Sequence, residues 1–354
     1  MIDQFIRRVE RVGRVKPKPI YLALLSLAVL ALTFFFAYPS EHPFETWHLS
    51  SGNVARDFSA ANSTLGFQAI LALSQGTKWR VDGLHAAARV SGIEVEIPPQ
   101  PGWSAPFIKA FQQFGPVEAR GAAMAWLGHI DLLKYVIQSG YDSALIMEDD
   151  VDWDVNIRKQ APLVSDAVRN LTRQTKEDQA PYGREWDVLW MGHCSDPPNV
   201  EQPMIVFDDA TVINRDRYRG LNRYITEVLQ EGQRSVHHSW NPVCTFAYAV
   251  SAKGVRKLLN QASLGVGGAF DLMLMHACQD KIVDCISVNP EIFDAYNAVG
   301  DNTSEVRAGD DGEAVHVEDK MGNTDNIRNS ARCAGVYHTT CLTNWDVKTN
   351  ITRH

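Results

Sequence analysis

The sequence predicts an α/β fold, a mixed and mostly parallel sheet flanked by helices, and three observations carry that expectation. Short apolar runs of strand length alternate with longer segments of helical period along most of the chain. The first run, Leu65 to Leu73, precedes a helix pattern and then a second strand pattern, a spacing that implies a βαβ unit and parallel pairing. Another run, Ala144-Leu145-Ile146-Met147, leads straight into Glu148, Asp149, Asp150, Asp152 and Asp154. Open sheets present their working side chains in that way, just beyond the carboxyl ends of the strands. With 45% hydrophobic residues, the 354-residue chain has ample core for one large or two modest domains.

Taken in order, residues 1–19 carry Arg7, Arg8, Arg11, Arg14, Lys16 and Lys18 against only Asp3 and Glu10. They precede Ile20 to Tyr38, which has no charge and no proline. At about 1.5 Å per residue this run just spans a ~30 Å hydrocarbon core. It exceeds the roughly 7–15 apolar residues of a cleaved signal and ends in aromatics, so residues 20–38 are expected to be an uncleaved transmembrane anchor. The positive-inside bias makes 1–19 a cytoplasmic tail. The barely sufficient, Phe-rich length suits a thin early-secretory membrane, ER or Golgi. The polar segment 39–64 reads as a stem, and 65–354 as one lumenal domain.

The sequons at Asn62, Asn170, Asn302 and Asn350 and all six cysteines follow the anchor, as suits an oxidising lumen. No cysteine lies in a CxxC pair, which argues against zinc. The close pairs Cys278/Cys285 and Cys333/Cys341 are expected to bridge, leaving Cys194 with Cys244, one of fifteen possible connectivities. Beyond residue 38 the chain has 28 Lys+Arg against 40 Asp+Glu, a net charge of about −12. That surface argues against nucleic acid or a polyanionic acceptor and leaves neutral or basic acceptors open.

Within the lumenal part, Val81 to Val90 reads as a helix and Ile93 to Ile97 as a strand, with an irregular loop from Pro98 to Pro106. Pro116 to Ser139 is the longest helix pattern, with proline at its start, Gly140 past its end and apolar residues around most of its circumference. Residues 156–184 read as a surface helix and loop. Trp186 to Met191 is a buried strand ending in Gly192-His193-Cys194, and 195–240 is polar with little periodicity. Val243 to Val250 reads as strand, Ala252 to Leu259 and Phe270 to Cys278 as helices, Ile282 to Val288 as a late strand, and the tail beyond Asp301 as loop-rich. No internal repeat is visible.

The acidic run admits three readings. One is a solvated turn. An EF-hand fails, because Val155 stands where its loop needs Gly and Ala161 where it needs a bidentate Glu. The third is a divalent-cation site at a strand end: Glu148, Asp150 and Asp152 point to one side of the extended chain, Glu148 and Asp150 can converge on one ion, and Asp152 and Asp154 are left to supporting or solvent-facing positions. Oxygen-only ligands favour Mn²⁺ or Mg²⁺. His129, on an apolar helix, reads as a hydrogen-bonded core residue that orients the site. His193, at a strand end, is the stronger catalytic candidate, and His237-His238 reads as surface. Trp153 reads equally as a sugar-stacking ring or as packing.

The ordered set Leu127-Gly128-His129, ALIMEDDV, WDVLWMGHC, AYAVSAKGVRKLL, Phe270-Asp271-Leu272, PEIFDAYNAVGDNTSEV and TDNIRNSAR resembles glycosyltransferase family 25, and its fungal members in the last segment. That family includes lipopolysaccharide and collagen galactosyltransferases. The chain departs from the pattern at Gly128, where a Ser is usual, and at Gln75 to Arg80, which keeps part of a usually Arg-rich turn. The resemblance implies a GT-A fold, with Glu148, Asp149 and Asp150 at the metal and Glu148, Asp149 and Arg80 at the nucleotide sugar. Asp271 joins His193 as a catalytic candidate, as the base that deprotonates the acceptor; its alternative is a helix cap. The expected activity is transfer of a sugar, galactose from UDP-galactose on the family's weight and with inversion, to a glycan or glycoprotein acceptor. A non-catalytic lumenal scaffold of the same fold and a metal-dependent nucleotide-sugar hydrolase are the alternatives.

Overall fold

The computed structural model describes residues 46–48, 58–174, 178–198, 201–219, 228–301, 306, 316–317 and 320–341. The expected anchor, Ile20 to Tyr38, and the sequons at Asn302 and Asn350 lie outside them. Among the described residues no helix is long and apolar enough to cross a membrane. In chain order the elements are β1 (Thr46–His48), β2 (Ala69–Leu73), α1 (Lys78–Ser91), α2 (Ala105–Phe114), α3 (Arg120–Gln138), β3 (Ser143–Glu148), β4 (Val151–Trp153), α4 (Ile157–Leu171), β5 (Val188–Gly192), β6 (Met204–Asp208) and β7 (Gln233–His238). They continue with β8 (Ala247–Ser251), α5 (Ala252–Ala262), α6 (Phe270–Gln279), β9 (Cys285–Asn289), β10 (Phe293–Asn297), β11 (Gly300–Asp301), β12 (His316–Val317), β13 (Asn323–Thr324) and α7 (Ala331–Tyr337).

Eight strands form the central sheet in the order β1-β6-β7-β9-β5-β8-β3-β2. The pairs β1/β6, β5/β9 and β2/β3 are parallel and the others antiparallel, so six strands share one direction and β7 and β8 oppose them. The sheet is mixed with a parallel majority, as the sequence predicts. Side chains alternate between two cores with the period of two that a pleated strand imposes. Leu145 and Met147 join Ile70, Leu189 and Ala249 in one core with α1 and α4, while Ala144 and Ile146 join Leu71, Trp190 and Tyr248 in the other with α3, α5 and α6. Each fully buried large apolar side chain contributes about 1.5–3 kcal/mol. A small antiparallel sheet, β13-β10-β4, starts directly after the acidic turn, because β4 follows β3 across Asp149-Asp150.

Several elements differ from expectation for identifiable reasons. β2 begins only at Ala69, because Leu65 (φ 56°) and Gly66 (φ 84°) are left-handed and the Asn62 side chain accepts the Gly66 N–H at 2.8 Å. The strand expected at Ile93 to Ile97 shrinks to a single parallel bridge, Leu71 to Glu96, ahead of Pro98-Pro99, which have no N–H to donate. The parallel crossover therefore links β2 to β3. α2 begins inside the expected loop, capped by Ser104, whose Oγ accepts from the Phe107 N–H at 3.4 Å. α4, by contrast, is the surface helix expected within 156–184, burying Ile157, Ala161, Val164, Val168 and Leu171 on one face and leaving Arg158, Lys159 and Asn170 exposed. The polar stretch 195–240 hides β6 and β7, and His237, expected at the surface, is 2% exposed. Its ring lies 2.6 Å from Asn289 Nδ2 and 2.8 Å from the His238 carbonyl, so hydrogen bonding takes the place of hydrophobicity there. β1, from the segment read as a stem, pairs with β6.

Candidate active site

The acidic turn sits where β3 ends, beside the end of its parallel neighbour β2, with Leu73 opposite Glu148. Glu148 Oε1 accepts a 2.9 Å hydrogen bond from Thr245 Oγ1, which approaches on the antiparallel side just ahead of β8. Behind Thr245 stands His129, with Nε2 3.4 Å from that hydroxyl and Nδ1 3.0 Å from Tyr248 OH, its ring stacked on Phe270 at 4.3 Å. Burial pushes His129 down to about 3, so the imidazole is neutral and orients Thr245.

Asp149 and Asp150 converge on one cation of the chain. Arg80 Nη1 lies 3.0 Å from Asp149 Oδ1 and 2.8 Å from Asp150 Oδ2, and Ser74 Oγ donates to Asp149 Oδ2 at 2.5 Å. The Arg80 guanidinium thus faces a turn with three carboxylates. Burial, then the charge of Asp150, pushes Glu148 up to about 8. Burial raises Asp149 to about 6 against the pull of Arg80. Asp150 Oδ1 is buried with no hydrogen-bond partner. These groups line a cleft of about 90 Å³ that Trp103 and Met124 also border. It has room for an ion and a few waters.

Glu148 and Asp150 fit a hard divalent cation: oxygen donors only, one buried oxygen unpartnered, and unbalanced negative charge around them. Asp149 fits less well, because Arg80 and Ser74 already engage both its oxygens. Among the described residues no group of three or more His, Cys, Asp or Glu side chains is arranged to hold a metal. A cation here would rest on two carboxylates and take its other oxygens from water or ligand.

Asp152 and Asp154 face neither solvent nor the cleft; they are 0% and 1% exposed. Asp152 accepts from Thr324 Oγ1 (2.6 Å), the Trp153 N–H (2.8 Å), the Arg332 N–H (2.9 Å) and Ser330 Oγ, and Asp154 binds the Asn329 main-chain and side-chain N–H groups at 3.0 Å. Trp153 is packing: its ring is 0% exposed and its N–H donates to Ser91 Oγ at 2.9 Å.

The two catalytic candidates stand outside the residues that line this cleft. His193 Nε2 lies 3.0 Å from the Val288 carbonyl and must donate to it, while Nδ1 is buried with no hydrogen-bond partner. His193 lines a separate cavity of about 240 Å³ with Phe246, Glu291, Asp294 and Asn326. Asp271 lies in the first turn of α6, whose N-cap is Ala269, and it accepts the Cys244 N–H at 3.1 Å and the Leu272 N–H at 2.9 Å. It therefore pins the residue before Thr245.

Sequence reasoning missed Thr245, Ser74 and Arg332. Arg332 is 2% exposed; its Nη2 donates to the Asp149 carbonyl (2.6 Å) and the Val151 carbonyl (3.2 Å), and its Nη1 to the Arg80 carbonyl (3.3 Å). It lies across Gly83, where a Cβ would come within 2.2 Å of Nη1. All three expected disulfides are present, Cys194–Cys244, Cys278–Cys285 and Cys333–Cys341, in keeping with a secreted or lumenal protein.

No protein-family model matches the chain, and no curated protein matches it. One solved structure similar to it is described as "Crystal Structure of A197 from STIV", 10% identical, covering 71% of this chain and 94% of that chain with a TM-score of 0.32.

Proposed function

We propose that the chain is a metal-dependent glycosyltransferase of GT-A-like fold in the family 25 manner, acting in the lumen of the ER or Golgi behind an N-terminal anchor. Its donor is a UDP-sugar, UDP-galactose by the resemblance, and its acceptor a glycan or glycoprotein. The observation that carries the reading is the acidic turn at the carboxyl end of β3, where Glu148 and Asp150 face one cleft and one buried carboxylate oxygen has no partner.

Glu148 and Asp150 would hold Mn²⁺ or Mg²⁺, whose chemistry there is to offset charge growing on a departing diphosphate. Thr245, held by His129, fixes the Glu148 carboxylate through Oε1. Arg80 keeps Asp149 and Asp150 at a set separation and adds positive charge beside the phosphates. His193 lines a separate cavity and both oxygens of Asp271 already accept main-chain N–H bonds, so neither residue is assigned as the base for the acceptor hydroxyl's proton. The cleft takes the diphosphate end of a donor; a nucleotide sugar needs several hundred Å³ and would extend beyond it.

The purified chain, titrated with UDP- and GDP-sugars, is expected to bind a UDP-sugar only with Mn²⁺ and to hydrolyse it slowly. Asp150→Ala is expected to weaken that binding at least about tenfold, the loss of one charged ligand. Metal-independent or absent donor binding, or wild-type turnover in Asp150→Ala, removes the reading.

A further inference from the structure

A second groove, of about 610 Å³, opens against the same first turn of α1 that borders the acidic cleft. In that turn Arg80 lines the cleft and Trp79 lines the groove. The groove is walled by Trp79, Tyr296, Tyr337 and Val336, with the exposed polar groups Lys78 and Asp82 beside them. Beneath the rings lies Arg332, with Cζ 5.9 Å from the Trp79 ring centre and 5.2 Å from that of Tyr296.

We propose that this groove binds a neutral saccharide, the acceptor side of the transfer; the acceptor role rests on the glycosyltransferase reading, the binding site does not. Aromatic walls with polar neighbours match a sugar ring, which presents apolar C–H faces and hydroxyl edges. Of the basic groups around the groove, Arg332 donates to the Asp149, Val151 and Arg80 carbonyls and the exposed Lys78 pairs with Asp82. Arg332 also gives the groove a physical link to the chemistry, because the guanidinium that floors it holds the backbone of the acidic turn.

The test uses the full chain in a detergent without a sugar headgroup, with no metal and no donor present. Lactose, cellobiose, mannobiose and chitobiose are titrated by saturation-transfer NMR, with glucuronic acid and UMP as charged probes. At least one neutral disaccharide is expected to bind, and Trp79→Ala to weaken it about tenfold, the worth of one ring contact. Val336→Glu, at a position 39% exposed and so without a core to disrupt, is expected to do the same by filling the groove. No neutral disaccharide binding, binding of the charged probes alone, or wild-type affinity in both variants overturns the proposal. Mn²⁺-dependent UDP-galactose binding is read on the same sample. Donor binding without saccharide binding overturns this inference alone; saccharide binding without donor binding keeps the groove and removes the transferase reading.

Discussion

Asp150 and Asp152 stand two positions apart in one acidic run and do opposite work. Asp150 borders the cleft with one oxygen unpartnered, whereas Asp152 is fully buried and accepts four hydrogen bonds, three of them from residues 324–332. Asp152→Ala strands those buried donors and is expected to cost about 3 kcal/mol or more, read as a lower midpoint in thermal or urea unfolding. Asp150→Ala leaves Arg80 its bond to Asp149 and is expected to stay within about 1 kcal/mol of wild type in the same measurement. The contrast is a check on the assignment, since comparable losses would mean that both acids are structural. The sequence signals acid at a strand end through local pattern, so Glu148, Asp149 and Asp150 are legible. It sets Asp152 and Asp154 apart as supporting or solvent-facing, but is silent on what Asp152 supports because its partners lie up to 180 positions away.

At the scale of elements, β3 and β5 were legible because apolar runs mark strands buried on both faces. β7, Gln-Arg-Ser-Val-His-His, was not, because its burial is satisfied by polar contacts. One of these ties β6, β7 and β9 together: Arg234 Nε meets Asp209 Oδ2 at 2.9 Å, and its Nη1 donates to the carbonyls of Pro290 and Glu291. Burial alone would push the Asp209 carboxyl up, yet the Arg234 guanidinium outweighs it and, with the Thr211 bonds, holds Asp209 below its ordinary value. A carboxyl lowered on folding gives stability that is complete above its unfolded value, near pH 4, and is lost as pH falls through the lower folded value. Urea midpoints between about pH 5 and pH 2.5 are expected to fall with acid, and Asp209→Asn to flatten that slope while lowering the midpoint at neutral pH. An unchanged slope would show that the pair does not govern acid stability.

For the whole molecule, the α/β class was legible from alternating strand and helix patterns, and the disulfide partners from sequence proximity and remainder. Cys194–Cys244 closes a separation of 50 residues, worth about 4 kcal/mol in the chain-entropy account. It also joins the end of β5 to the residue before Thr245. Replacing both cysteines with serine is expected to lower the unfolding midpoint by several degrees at least and to loosen donor binding, because the segment before Thr245 is then held by the Asp271 bond without the disulfide; calorimetry and donor titration read the two effects separately. What no local pattern reveals is that the chain returns to its own middle. Residues 324–332 reach back to Asp152, Asp154 and the Asp149 carbonyl, so the acidic turn draws its support from a segment synthesised well after it. Most strands of the central sheet can pair before that part exists. A chain made only as far as β9 can therefore own much of the sheet and all three acids of the turn while lacking their support, which ties competence at this site to synthesis through Arg332.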